Sequence, residues 1–370
     1  MELKVAIVHD WLASAGGAGG AEKTLEAVME IFPNAPLYTT VYNPERMPEK
    51  FRRYDIRTSF IQKLPLAKTS YQLYLPLMPA AIESLNLDEY DIVISFNHSF
   101  AKGIITKPSA LHISYCYTPL RYAWDMYQTY LAHEGLPKWK KIFIPFIFNY
   151  LRTWDVVSSF RVDKFAAISR HIARRIKKYY GRESEVIYPP VDVDKFSISS
   201  NIGSFFLIVS RLVSYKRVDL AVRAFNELGL PLVIIGTGPL FHKLKKLAKP
   251  NIKFMGRQDD DIVRKYLSEC RAFIFPGEED FGITPVEAMA SGRPVIAYGR
   301  GGVLETVDEE SGIFFSESTP SSLVKAVRDF EGKKFSPEKI RKKALRFDKK
   351  IFQDSFLKMV EKTCREQGKG

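Results

Sequence analysis

The sequence predicts an α/β chain made of two doubly wound units, each a parallel sheet covered by helices. Three observations carry this reading. The 370 residues exceed what one typical compact core holds and suit two domains of roughly 150–200 residues each. Short, near-continuous apolar runs recur along the chain, as in strands buried on both faces, with helical patterns between them. The pattern then stops at Pro189-Pro190 and restarts beyond a polar, turn-rich stretch over 191–203, which reads as a linker.

Taken in order, residues 4–8 form the first apolar run. A Gly-rich loop over 13–20 follows, and residues 21–31 have helical spacing, with Leu25, Val28, Met29 and Phe32 on one face. Further buried strands are expected over 91–95, 111–115 and 164–168, the last leading into a basic helix over 171–180. Beyond the linker, 205–209 reads as a strand, 219–228 as a helix and 232–235 as a strand ending in Gly236-Thr237-Gly238. Three more strands are expected over 252–255, 272–275 and 294–297, and a helix over 285–291. A charged, helical stretch over 336–366 closes the chain. The predicted division is 1–190 and 191–349, with the final helix, about 350–370, packing back on the first domain. Strands alternating with helices imply parallel sheets, and open sheets of this kind bind ligands beyond the carboxyl ends of their strands.

Composition narrows the function. Apolar residues make up 46% and charged residues 26%, as in an ordinary soluble globular protein. Cys116, Cys270 and Cys364 are too few and too scattered for a disulfide framework or a thiolate metal site, so reduced thiols in a cytoplasmic protein are expected. The first strand starts almost at once, with no signal-peptide pattern before it. No apolar stretch reaches the roughly 18–20 residues that span a bilayer. The net charge of +13 attracts the chain to anionic partners. Without an RNP, helix-turn-helix or zinc-finger pattern, nucleic acid is not an expected partner. Lipid surfaces and phosphate-bearing ligands are.

Several motifs can carry chemistry. Gly19-Gly20-Ala21-Glu22 joins the first strand to the first helix, where glycines admit close approach and a helix start offers free N–H groups. A plain flexible turn has the same composition. Arg211 and Lys216 lie five apart in a strand-to-helix loop. They suit the neutralisation of a diphosphate leaving group, or are two surface cations. The segment Glu278-Glu279-Asp280-Phe281-Gly282-Ile283-Thr284-Pro285-Val286-Glu287 is the most informative. Three acids precede an aromatic-Gly turn, and Pro285 is expected at the first helical position. The backbone N–H groups of Gly282, Ile283 and Thr284 are then placed to cap a phosphate. Glu287 falls in the first helical turns, within reach of a ribose, and Glu279 precedes the turn, facing a sugar. Acids near a helix start also serve simply as stabilisers. A further Gly-rich loop, Gly299-Arg300-Gly301-Gly302 with Glu305 after it, opens another helix. Asp259-Asp260-Asp261 reads as the capping of a helix start, not a metal site.

Together these motifs resemble glycosyltransferase family 4. Glu279 and Glu287 match its pair of glutamates separated by seven residues around a Phe-Gly turn. In order along the chain come Gly19-Gly20-x-Glu22, Arg211 with Lys216, Gly236-x-Gly238-Pro239 and Gly301-Gly302-Val303-x-Glu305. The resemblance covers nearly the whole chain. It implies a GT-B fold, two Rossmann-like domains facing across a cleft, with an acceptor-binding N-terminal domain and a nucleotide-sugar-binding C-terminal one. It implies donor contacts from Gly19, Gly20, Arg211, Lys216, Gly236, Gly238, Gly256, Arg257, Phe281, Gly282, Ile283, Thr284 and Glu287. Arg211 and Lys216 hold the diphosphate, Glu287 the ribose, residues 281–284 the sugar and phosphate, and Gly256-Arg257 lies near the base. Glu279, beside the donor sugar, is expected to be catalytic, with retention of anomeric configuration. Cations and helix ends supply the charge, so no cofactor and no metal is expected.

The sequence departs from the family at one point. Tyr115-Cys116-Tyr117-Thr118-Pro119 carries a tyrosine where related enzymes often carry a histidine. Tyr117 and His98, the latter in the loop after the preceding strand, are the candidates for that role; His98 equally suits a structural loop position. The run Tyr115 to Tyr122 resembles mannosyltransferases of surface polysaccharide assembly, implying mannose from GDP-mannose and a lipid-linked or saccharide acceptor. Cations mixed with large apolar residues over 138–154, continuing at Arg161, Lys164, Arg170, Arg174, Arg175, Lys177 and Lys178, suit peripheral contact with anionic membrane on its inner face, or a buried helix with a solvated basic neighbour. A nucleotide-sugar epimerase of the same architecture, and a non-catalytic membrane- or polysaccharide-binding scaffold, are the alternative functions. A nicotinamide dehydrogenase is disfavoured, because neither first strand leads into a clean GxGxxG with a downstream acid.

Overall fold

A computed structural model describes residues 3–13, 19–128 and 138–368. Residues 14–18 of the Gly-rich loop, and the side chains of Lys138, Trp139, Lys140 and Lys141, lie outside the described residues. The chain divides into two compact units, Met1–Ile187 with Gln353–Gly370, and Tyr188–Phe352.

The first unit is a seven-stranded parallel sheet. Its strands are β1 (Val5–His9), β2 (Leu37–Thr39), β3 (Ile56–Thr58), β4 (Ile92–Asn97), β5 (Leu111–Cys116), β6 (Lys164–Ala167) and β7 (Ser184–Val186), in the order β3-β2-β1-β4-β5-β6-β7. The central strands β4 and β5 are buried along their whole length, which explains their continuous apolar runs. The strand order reverses between β1 and β4. Their register pairs His9 with Phe96, so the residues just after both strands emerge side by side. Helices α1 (Gly20–Ile31), α2 (Lys138–Ser159) and α3 (Arg170–Tyr180) follow β1, β5 and β6. Ser169 caps α3 by accepting the Ile172 N–H at 3.1 Å, and Gly181 closes it in the left-handed region at φ 65°. Lys102, just past the β4 loop, is fully buried and pairs at 2.8 Å with the equally buried Asp155 of α2. Its ammonium also donates to the Asp155 carbonyl at 2.8 Å and the Ser158 hydroxyl at 2.7 Å, which satisfies a charge that would otherwise be costly to bury. The C-terminal helix Lys349–Glu366 returns to this unit. Gln353 donates to the Ala27 carbonyl at 2.9 Å, and Phe356 stacks on Phe96 with ring centroids 6.1 Å apart.

The second unit holds a six-stranded parallel sheet, β8 (Phe206–Val209), β9 (Leu232–Ile235), β10 (Ile252–Gly256), β11 (Ala272–Phe275), β12 (Val295–Tyr298) and β13 (Gly312–Phe315), in the order β10-β9-β8-β11-β12-β13. Helices α4 (Val218–Leu228), α5 (Asp260–Glu269), α6 (Ile283–Ala290), α7 (Val303–Thr306) and α8 (Pro320–Glu331) lie between and after the strands. The order reverses between β8 and β11.

One sequence expectation is corrected here. Pro285 is the third residue of α6, not the first, because the helix starts at Ile283. Gly282 is the N-cap at φ 91°, a conformation that favours glycine, and it brings the turn into the helix two residues early. Proline is tolerated there, since N–H groups of the first turn have no intrahelical partner. The short strands β2, β3, β7 and β13 have no counterpart in the sequence pattern. Among the described residues, no helix is long and apolar enough to cross a membrane, and no three His, Cys, Asp or Glu side chains are grouped to hold a metal ion. The three cysteines are buried and free. Asp259 is the N-cap residue of α5, with Asp260 and Asp261 in its first turn.

Candidate active site

In the second unit, the predicted site residues fall in five βα loops at the carboxyl edge of the sheet. Arg211 and Lys216 follow β8; Gly236 and Gly238 follow β9; Gly256 ends β10 and Arg257 succeeds it; Glu279 to Thr284 follow β11; Gly301 and Gly302 follow β12. The loops are laced together by backbone. Leu212 N–H donates to Thr237 O at 2.9 Å, Leu240 N–H to Leu212 O at 3.1 Å and Gly236 N–H to Gly256 O at 2.7 Å. Gly302 N–H donates to Glu279 O at 2.8 Å, and Glu279 and Gly301 form an isolated parallel bridge.

Glycine is required where these loops touch. A Cβ on Gly236 would lie 1.9 Å from Ser210 O, and one on Gly302 2.3 Å from Asp280 O. The glycines therefore allow adjacent loops to close into one continuous rim. Gly277 joins the β11 loop to the β8 loop, since a Cβ there would lie 2.8 Å from Tyr215 O and 3.0 Å from Lys216 Cα, and across this seam the Lys216 and Glu279 side chains form an ion pair. Their side chains are 23% and 14% exposed, so the pair is reachable yet partly shielded from water, where charge interactions are stronger than at an open surface. Arg211 and Arg257 are exposed. Glu287, in the second turn of α6, is buried at 6% exposure. Phe281 is buried against Tyr188 and Phe347, with ring centroids 5.8 and 5.4 Å away, and Tyr188 in turn donates to Glu305 at 3.2 Å. That aromatic packing fixes the turn from behind, so Phe281 acts through support and the amides of Ile283 and Thr284 lie at the helix start.

In the first unit the carboxyl edge at the β1/β4 reversal gathers a second set of polar groups. Asp10, which follows β1, is fully buried. Its carboxylate accepts the backbone N–H groups of His98 at 2.7 Å, Ser99 at 3.0 Å, Ala101 at 2.6 Å, and also that of Phe100. His98 Nδ1 stands 2.9 Å from Asp10 Oδ2, an ion-pair contact with imperfect hydrogen-bond alignment, and the side chain is 26% exposed. Burial works against charge on both groups. It is outweighed at Asp10 by His98 and its hydrogen bonds, which hold the carboxyl well below the usual carboxylate range. It is outweighed at His98 by the Asp10 charge and contact and by Glu22, so this imidazole is raised. His9, behind them, is pulled down to about 3 by burial and by His98, and neither of its ring nitrogens has a hydrogen-bond partner.

Gly19 and Gly20 begin α1, and Gly19 N–H donates to Glu22 at 2.7 Å. Glu22 thus helps close the helix start, and burial raises its carboxyl. Tyr117 is buried, and its hydroxyl donates to Ala21 O at 2.8 Å. Burial pushes this phenol well above its ordinary range, so Tyr117 ties the β5 loop to α1 and is not a titrating group. Trp11 packs edge-on against His98 with centroids 4.6 Å apart. Asp10, His9 and Trp11 escaped the sequence reading. The available signal was a His-Asp pair at the end of a buried first strand, directly before a Gly-rich loop. An open cavity of about 690 Å³, lined by Tyr38, Arg57, Ser59 and Lys63 among others, contains none of these residues.

Comparison with known proteins bears on the family and the fold. Residues 18–195 match the family described as Glycosyltransferase Family 4, and residues 194–347 match Glycosyl transferases group 1. The chain is 27% identical over 212 residues to the uncharacterized glycosyltransferase MJ1178 of Methanocaldococcus jannaschii, covering 55% of this chain and 60% of that protein. It is 29% identical over 194 residues to the GDP-mannose-dependent monoacylated alpha-(1-6)-phosphatidylinositol monomannoside mannosyltransferase of Corynebacterium glutamicum, covering 44% of this chain and 51% of that protein. The matched segments thus span little more than half the length of these relatives. Among solved structures, Anabaena Alr3699/HepE in complex with UDP superposes with a TM-score of 0.69 over 97% of this chain and 100% of its own, at 16% identity, a likeness of fold. With its motifs, its two parallel sheets and these matches, the chain belongs to glycosyltransferase family 4 and has the GT-B fold.

Proposed function

We propose that this glycosyltransferase is a retaining hexosyltransferase that moves mannose from GDP-mannose to a lipid-linked or saccharide acceptor in the assembly of a surface glycan. The observation that carries the reading is the laced rim of the second unit, which sets Lys216 and Glu279 side by side at the start of α6. The donor diphosphate takes the Lys216 ammonium, with Arg211 as second cation. Glu279, released from Lys216, then meets the sugar hydroxyls. The Ile283 and Thr284 amides cap phosphate and sugar, Glu287 takes the ribose hydroxyls, and Gly256-Arg257 borders the base. As the bond from C1 to the diphosphate oxygen breaks, negative charge grows on the leaving group. Cations and oriented N–H groups stabilise that charge most when they are already in place. The acceptor hydroxyl oxygen adds to C1 on the same face, and its proton passes to the departing diphosphate oxygen. No metal is needed for this charge, since lysine, arginine and a helix start supply it. The mannosyl donor rests on the run from Tyr115 to Tyr122 and on the mannosyltransferase among the relatives.

The first unit offers His98 to the acceptor or sugar, while Tyr117 packs its loop. We further assign this unit a peripheral seat on anionic membrane. Helix α2 buries Ile144, Phe148 and Leu151 in the core. Its other side exposes Ile142, Phe143, Phe146 and Tyr150 by 64, 58, 73 and 48%. A helix apolar on both faces has one face in want of a partner, and the chain's charge of +13 favours an anionic one.

Thermal denaturation with GDP, UDP, ADP and their sugars tests the donor. A ligand held in the second unit stabilises it by RT ln(1 + [L]/Kd), so a selective rise with GDP and GDP-mannose is expected. No rise with any nucleotide, or a rise with UDP compounds alone, overturns the assignment of the donor.

A further inference from the structure

The Asp10–His98 pair carries an inference beyond the donor site. A buried carboxylate with four N–H donors and an imidazole against it is more than a packing device. The four donors are consecutive backbone N–H groups, from His98 to Ala101, and they fix the loop after β4. The His98 ring adds an ion-pair contact, and it lies against both Asp10 and the near-perpendicular ring of Trp11. Both loops leave the sheet where the strand order reverses, which is where open α/β sheets bind ligands. Lys102 continues the loop into a fully buried ion pair with Asp155, so the segment is anchored at both ends. A ring so placed has Nδ1 turned inward to the carboxylate, and the ring nitrogen on its far side, Nε2, belongs to the partly exposed part of the side chain.

We infer that Asp10 is a positioning residue for His98, keeping its Nδ1 proton inward so that Nε2 is turned outward and, in the charged ring, donates a hydrogen bond to a saccharide oxygen. The proposal rests on the glycosyltransferase reading for its substrate, not for its geometry. The charged ring has no free lone pair, so His98 serves there as a donor and not as a general base. The groups facing His98 among the described residues agree with that role. Asp10 and Glu22 favour the charged ring, and His9, itself neutral, sits behind it with ring centroids 5.6 Å away. Tyr117, 6.4 Å from the His98 ring between centroids, keeps its own proton on Ala21 O.

The test is imidazole 15N–1H NMR on the full chain, with His98→Gln used to assign the signal. Wild type is expected to keep the Nδ1 proton and to titrate above the ordinary value of 6.5. Titration below that value, or a bare Nδ1 in the neutral ring, overturns the proposal without any variant having to fold. In Asp10→Asn the His98 midpoint is expected to fall by at least about one unit, as loss of an adjacent charge implies. Transfer from GDP-mannose is the second readout. Asp10→Asn and His98→Gln should each lower kcat by about 100-fold, the scale of losing one oriented donor. Because they act as one unit, the double variant should lie within about threefold of the weaker single variant. Multiplicative losses would show that Asp10 serves the loop alone and would overturn the proposal. Failure of every nucleotide sugar to react would refute the function, while the NMR result would still decide the positioning.

Discussion

Gly302→Ala tests whether the laced rim is a working part of the donor site. Gly302 has φ −70° and ψ −17°, a helical conformation that alanine adopts freely, so backbone preference predicts no harm. Packing predicts the opposite. The new methyl would lie 2.3 Å from Asp280 O and 2.5 Å from Phe281 Cα, whereas ordinary contact starts near 3.4 Å. Something must therefore move by about 1 Å, and the atoms in the way are backbone of the turn between Glu279 and α6. Overpacking of this kind costs about 1–3 kcal/mol, which corresponds to a fall in Tm of roughly 2–12 °C for a unit of this size. The unit should stay folded. A 1 Å misplacement of positioning groups costs about 100-fold in rate. The assay is nucleoside diphosphate release from GDP-mannose with acceptor present, alongside Tm. Gly332→Ala is the matched control, since that glycine also has negative φ and only Asp329 O lies near its new methyl, at 3.8 Å. A Gly302→Ala enzyme with wild-type turnover would refute the claim that the turn positions the donor.

Three further outcomes follow from the structure. Lys216→Ala and Glu287→Ala should each lower transfer by at least about 100-fold with an unchanged circular dichroism spectrum, and full activity in both would remove them from the site. Phe143→Ser with Phe146→Ser should weaken binding to phosphatidylglycerol vesicles by about tenfold or more, given roughly 1.5–3 kcal/mol per fully buried phenylalanine; unchanged cosedimentation would argue against α2 as the seat. Urea stability should fall as pH drops from about 6.5 toward about 3. His9 and His112 are held to about 3 by burial, and His112 is kept neutral with Nδ1 donating to Arg161 O at 3.2 Å and Nε2 accepting from Ser95 at 2.9 Å. In that window the unfolded chain binds protons that the folded one does not, so stability rises with pH by up to about 1.4 kcal/mol per unit for each histidine. His98, raised instead, stays charged in both states there and adds no slope. His112→Asn should remove about half the slope, and an unchanged slope would contradict the assignment.

Much of the second unit was legible in the sequence because its strands are short, apolar and set off by glycines. Phe206–Val209, Leu232–Ile235 and Ala272–Phe275 are buried runs with loops on either side, so the periodicity placed them within a residue. The shortest strands were not legible. Leu37–Thr39, Ile56–Thr58 and Ser184–Val186 are three residues each, and β3 and β7 are not fully buried, too little for a pattern to register. Pro285 misled because proline fits any position of a helix's first turn, and the left-handed Gly282 that moved the start cannot be read from residue type. Asp10 was invisible for a different reason. Its four N–H donors come from residues about ninety positions away, brought close only by the pairing of β1 with β4. Tyr117 was legible as a departure from the family, but its bond to Ala21 depends on the same tertiary closure.

Transfer of mannose from GDP-mannose without a metal can be followed in a single assay. The most direct measurement follows GDP-mannose labelled in the sugar, in EDTA, with and without extracted lipid-linked saccharides. Label should pass to the acceptor with its anomeric configuration retained, GDP release should require the acceptor, and both should vanish in Lys216→Ala. Isomerisation of the donor in the absence of acceptor, or no turnover in EDTA that magnesium or manganese then restores, would contradict it.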